Sequence, residues 1–224
     1  MVCMSKVVSA QPGLRSVSGP RAASKDRTRQ KIMVAAKRMF STVGYDRATI
    51  RDIAAESGMS TGAVFVSFSS KSELFIALVL EDRIAAYEIV GETLRERLKD
   101  PAAKIEDVLS AMFESAYRSR AENVPFVQVA MSAAWSTELG AAIRRLLAEW
   151  PISDHISRAL AVAVDRGQIS RDVDIPLLSQ MLWDCALGMI PHAVFDGWDA
   201  DRLGQRLKSE VGAILGGSRP RRTG

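Results

Sequence analysis

Thr61, Gly62 and Ala63 offer a hydroxyl with a methyl beside it, a bare stretch of backbone and a lone methyl. Thr61 can donate or accept a hydrogen bond and can set its methyl against that of thymine. Gly62 admits close backbone approach, and Ala63 makes apolar contact only. Arg51 is the long basic side chain nearby, and its planar fork fits either the O6 and N7 edge of guanine or a phosphate. Thr49, Ser60, Ser67 and Lys71 add hydroxyl, backbone N–H and ammonium groups suited to phosphates; capping of a helix is the competing role of Thr49, Ser60 and Ser70. Together these groups fit a nucleic acid, provided that short rigid elements hold them outward.

The spacing around them supplies such elements. Ala54 precedes Gly58 by four residues, and Val64 follows it by six. A small residue lets two helices approach, a glycine takes positive φ in the turn between them, and a branched apolar residue on the second helix plugs the junction. This is the pattern of a helix-turn-helix, which sets its second helix in a DNA major groove with the N-terminal residues at base edges.

Charge is distributed accordingly. Residues 1–80 carry 12 Lys/Arg against 5 Asp/Glu, a net +7, whereas residues 81–217 carry 15 against 21, a net −6. The basic half is the one holding the motif, as a phosphate-binding surface requires. There is no Gly-rich phosphate loop, nucleophile motif or metal-ligand spacing, and the chain has only 2 histidines and 2 cysteines. The expectation is a protein that is not an enzyme and takes no cofactor or metal. No run of apolar residues reaches membrane-spanning length, so the expected location is the cytoplasm.

Apolar periodicity is helical throughout. Ile32, Ala35, Ala36, Met39 and Phe40 form one face of a helix over 26–43, ended by Gly44. Thr49 and Ser60 cap helices over about 50–57 and 61–67, and Ser70 with Glu73 forms a capping box for a long helix that ends at Asp100-Pro101. Further helices are expected near 102–120, 124–136, 138–149, 152–167, 175–195 and 200–215. The fold class is all-α. The expected divisions are a disordered N-terminal arm over 1–25 (with Arg15, Arg21 and Lys25 within reach of DNA), a three-helix DNA-binding domain over 26–72, a helical body over 73–216, and a basic tail over 217–224 containing Arg219, Arg221 and Arg222.

The segment from Arg27 to about Ala77 resembles the TetR family of bacterial transcription regulators. The residues that carry the resemblance are Thr28-Arg29, Ile32, Ala35-Ala36, Phe40, Gly44-Tyr45, Thr49-Ile50, Ile53-Ala54, Gly58, Ser60, Gly62, Phe68, Lys71 and Leu74. The resemblance implies an all-helical homodimer whose N-terminal domain binds a short inverted-repeat operator and whose C-terminal domain dimerises and holds a small-molecule inducer. Most members are repressors. The chain departs from the family at Phe65, where tyrosine is usual, so the hydroxyl that would meet a phosphate is missing; Phe65 is left with packing or a thymine-methyl contact. Val66 and Ser67 likewise stand where larger aromatic or imidazole side chains are common.

In the body, Phe113, Tyr117, Phe126, Met131, Trp135, Trp150, Met181, Trp183 and Met189 recur at helical spacing, as ordinary core or as the lining of an adaptable apolar pocket. Asp184 sits in the apolar run Met181–Leu187, where a carboxylate is costly without a partner: an arginine, a dimer interface or a cationic ligand. His155 and His192 read as partnered structural histidines. Ile156, Leu160, Val162 and Val164, with Leu177, Leu178, Met181, Leu182 and Leu187, give helices 152–167 and 175–195 broad apolar surfaces, suited to a four-helix dimer interface or to a monomer core. The leading reading is a ligand-released repressor. The rivals are an activator or a regulator without inducer, a nonspecific architectural DNA-binding protein, and a helical enzyme.

Overall fold

The structure, a computed structural model, describes residues 20–119, 123–136, 139–149 and 152–217. Residues 1–19, Trp150, Pro151 and the tail over 218–224 lie outside the described residues. Ten α-helices and no strand occur among those described: α1 (Pro20–Val43), α2 (Ile50–Ser57), α3 (Thr61–Ser67), α4 (Lys71–Leu98), α5 (Ile105–Arg118), α6 (Val124–Ala134), α7 (Gly140–Glu149), α8 (Ile152–Asp165), α9 (Ile175–Phe195) and α10 (Ala200–Gly216). The first helix begins six residues before the expected 26, so residues 20–25, assigned to the arm, are its opening turns. Proline is tolerated in a first turn, and nothing up to Lys25 interrupts the helix.

Two cores hold the chain. The first packs Ile32, Ala36 and Phe40 of α1 against Ile53 and Ala54 of α2, Val64 of α3 and Leu74, Phe75 and Leu78 of α4. It does not end at the DNA-binding head, because Phe126 and Ala133 of α6 and Ile143 and Leu146 of α7 belong to the same cluster. The second core gathers Ala86, Val90 and Leu94 of α4 with α5, α8, α9 and α10. Helix α4, 28 residues long, therefore serves both cores.

Turn chemistry fixes the junctions. Gly44 and Gly58 have φ of 84° and 67°, a region that glycine enters at no steric cost. Gly58 ends α2, and the next N–H, from Met59, reaches back to the Ala54 carbonyl at 2.9 Å. Thr49 and Asp52 cap α2 reciprocally, and Ser60 caps α3 through the Ala63 N–H. Ser70 accepts from the Glu73 N–H as expected, but the Glu73 carboxylate reaches one residue further, to the N–H and hydroxyl of Ser69.

Ile156 and Leu160 of α8 and Leu178 and Leu182 of α9, expected at a dimer interface or in a core, are buried in the chain's own second core. Of the apolar residues expected at that interface, Leu177, Met181 and Leu187, all on α9, stay exposed. Among the described residues no single helix is long and apolar enough to cross a membrane.

Candidate functional site

At the N-terminal end, Thr61 and Gly62 stand exposed at the start of α3, Ala63 is half-buried beside them, and Val64 is fully buried beneath. Arg51 is exposed on α2, and no hydrogen bond or ion pair holds it among the described residues. Phe65 is exposed rather than packed, and Val66 beside it more so. Thr49, Arg51, Thr61, Gly62 and Phe65 are thus accessible on adjoining short helices.

Other candidates are committed within the chain. The Thr49 hydroxyl donates to Asp52 Oδ2 at 2.6 Å, and the Ser67 hydroxyl donates to the Ala63 carbonyl. The Lys71 ammonium spends its donors on the carbonyls of Tyr45, Asp46 and Ala48, at 2.9, 3.3 and 3.1 Å, with the Tyr45 ring beneath it. It ties the loop after α1 to the start of α4. Sequence reasoning missed Arg29 as a structural tie. Its guanidinium donates to the Ser67 carbonyl at 2.7 Å and lies 3.9 Å over the Phe68 ring, fastening the end of α3 to α1. The signal was present in Arg29 and Phe68, which sit together in the stretch that carries the family resemblance.

A second site lies in the body. A cavity of about 500 Å³ opens between α4, α6, α7 and α9. Phe126, Met131, Trp135 and Trp183 of the expected ligand residues line it. Tyr117 lines a neighbouring cavity of about 240 Å³ instead, and its hydroxyl donates to the Ala186 carbonyl. Phe113 is buried in the second core and lines neither cavity, since its helix face points at α4, α8 and α10 packing. Met181 and Asp184 are exposed on α9 and line neither cavity. Asp184 accepts from the Gln180 amide at 2.8 Å, so solvent and this neighbour meet the need that its apolar surroundings suggested. Sequence reasoning missed Arg83, which is buried, lines the cavity and lies 5.0 Å over the Trp183 ring. Glu81-Asp82-Arg83 looks like a solvated charge run, yet Val79, Arg83, Ala86 and Val90 keep one helical period.

The two sites touch through aromatic rings. Phe126 forms part of the cavity wall, and its ring centroid lies 5.8 Å from that of Phe75. Phe75 meets Phe40 at 5.1 Å and Tyr45 at 4.9 Å, inside the head.

Residues 32–78 match the family model for bacterial regulatory proteins, tetR family. The HTH-type transcriptional repressor AcnR of Corynebacterium glutamicum is 30% identical over 160 residues, covering 69% of this chain and 76% of AcnR. The chain belongs to the TetR family. The HTH-type transcriptional regulator UidR of Escherichia coli is 26% identical over 191 residues, 84% of this chain and 93% of UidR. The fold agrees with the transcriptional regulator FadR of Bacillus subtilis, solved in complex with stearoyl-CoA, at a TM-score of 0.69 and 19% identity, over 84% of this chain and 98% of that one. This TetR-family member is a helix-turn-helix transcriptional regulator with a helical C-terminal body.

Proposed function

We propose that this regulator is a cytoplasmic repressor. It binds a short inverted-repeat operator as a homodimer and leaves it when a small, largely apolar ligand fills the cavity beside α4. The observation that carries the reading is the double role of Phe126, which walls the cavity and packs on the aromatic cluster of the head. Packed cores respond to a displaced ring by shifting whole elements, because they hold few voids to absorb it. A ligand that fits the displaced arrangement better weakens operator binding through linkage, by about 5- to 150-fold for a coupling of roughly 1–3 kcal/mol.

On DNA, the Thr61 end of α3 lies at base edges, with Ala63 beside it, and Arg51 grips a base or a phosphate. Ser60 and Thr49 present helix N-termini to the backbone, while Ser67 and Lys71 act mainly by holding α3 and the α1–α2 loop in place. The exposed Leu177 and Met181 of α9, with α8 alongside, support the dimer contact, and Asp184 follows them on that helix. Two copies then set their recognition helices about 34–36 Å apart, one DNA turn.

The test is selection of duplexes from random DNA by the purified chain, repeated with a metabolite extract present. The expected result is an inverted repeat bound by a dimer and released by a fraction of the extract. Binding by a monomer to a single half-site would refute the model. An inverted repeat that no fraction releases would favour a regulator without inducer.

A further inference from the structure

The outward face of α3 is apolar. Gly62 and Val66, four residues apart, lie on the side opposite buried Val64, and Thr61 and Phe65, also four apart, lie exposed along the edge of that face. Phe65 is 52% exposed and Val66 78%. Ser67 is turned inward, its hydroxyl on Ala63 and its carbonyl on Arg29. Thr61 is therefore the one polar side chain that this face presents, and it carries a methyl of its own. The segments flanking the face expose Arg27, Lys31, Arg47 and Arg51, the charge complement of a polyanion.

We propose that Phe65 and Val66 are specificity-determining residues that read thymine by its C5 methyl. This rests on the reading of the chain as a sequence-specific DNA-binding regulator and names what its recognition helix looks for. The C5 methyl is the apolar group that unmodified bases project into the major groove. Apart from small C–H edges such as cytosine C5–H, the other features of the floor of that groove are hydrogen-bond donors or acceptors. An aromatic ring or branched side chain pressed on such an edge removes its water and returns no partner. The face therefore selects thymine twice, by burying its methyl and by leaving competing edges unpaired. Each operator half-site carries thymines under the middle of α3, and polar readout is left to Thr61 and Arg51 at the margins.

The experiment takes the operator selected by the full chain and replaces each half-site thymine, one at a time, with deoxyuridine. This removes the methyl and leaves the base pairing intact. Replacement under Phe65 or Val66 should weaken binding about fourfold, the worth of one buried methyl group, with little effect at other positions. Phe65→Ala and Val66→Ala, both exposed, should keep the parent melting temperature and lose part of the preference for operator over random DNA. Each should lose thymine-over-deoxyuridine discrimination at its own position. Deoxyuridine tolerated at every position, with the operator still preferred, overturns the assignment and leaves the regulator standing. Discrimination that survives in both alanine variants also overturns it, because the reader is then elsewhere. No preference for any duplex sequence overturns the regulator reading and the assignment together.

Discussion

Arg51 and Gly58 do opposite kinds of work. Arg51 is exposed and held by nothing among the described residues, so its loss should leave the fold intact and act on DNA alone. Arg51→Ala should weaken operator binding by about 1–3 kcal/mol if the side chain reads a base; an equal loss on operator and random duplexes in a binding titration would mark it as a phosphate contact. Gly58 holds φ at 67°, and a Cβ there meets open space, so Gly58→Ala isolates the backbone cost. That cost is about 1–2 kcal/mol, read as a lower midpoint in denaturant. Residues whose role is local were legible before any coordinates: Thr49 and Ser60 cap because a hydroxyl binds the nearest free N–H, and Gly58 turns because only glycine does so cheaply. Lys71 was not legible in the same way. A surface lysine near a DNA-binding motif suggests phosphate, and only the folded loop brings three carbonyls around its ammonium.

Between elements, the ties and the cavity decide behaviour. Lys71→Met keeps the stem over Tyr45 and removes the three donations, so the α1–α2 loop should loosen and exchange its amide hydrogens faster than in the parent. Ala130 lines the cavity, and Ala130→Trp should occupy it from the wall. Operator binding should persist while release by the active extract fraction is lost, as measured in the same titration. The joint between α4 and α8 adds a pH dependence. His155 is buried, donates from Nε2 to the Tyr87 carbonyl at 3.1 Å and accepts at Nδ1 from Arg158. Burial first, and the Arg158 charge second, hold its pKa below the ordinary histidine value. As pH falls through about 6.5 the unfolded chain takes up a proton that the folded chain refuses, so stability declines on acidification. The melting temperature should drop between pH 7 and 5, and His155→Gln should flatten that drop. The same slope in both proteins would remove His155 as its cause. The cavity itself was only half legible: spacing marked Phe126, Met131, Trp135 and Trp183, but the same spacing marked Phe113, and periodicity cannot tell a lined void from a filled core.

For the molecule as a whole, the open question of α8 and α9 is one of inside against outside. Broad apolar faces on both helices fit a dimer or a core equally well in sequence. Folding divides them, sending Ile156, Leu160, Leu178 and Leu182 inward and leaving Leu177 57% and Met181 47% exposed. Leu177→Lys with Met181→Lys should give a monomer in sedimentation with little change in melting temperature. Operator affinity should then fall far more than affinity for a single half-site. A double variant that stays dimeric would move the interface to another face. The head was legible as a unit because its three helices are short, capped and close in sequence. The continuation of its core into α6 and α7 was not, since Phe75 and Phe126 meet across 51 positions.

Gly91 lies against the His155 ring so closely that a Cβ there would stand 2.8 Å from Cε1. A backbone seated that closely on a ring cannot slide along it, but the helix can tilt over it, which makes the contact a fulcrum. The arm from Gly91 to Lys71 is about 30 Å long at the helical rise. A tilt of about 5° there carries the far end some 2.6 Å sideways, a large fraction of the 3.4 Å between stacked base pairs. In a twofold pair the two arms swing in mirrored sense, and the span between reading heads changes by up to about twice that amount, enough to put both out of step with the groove.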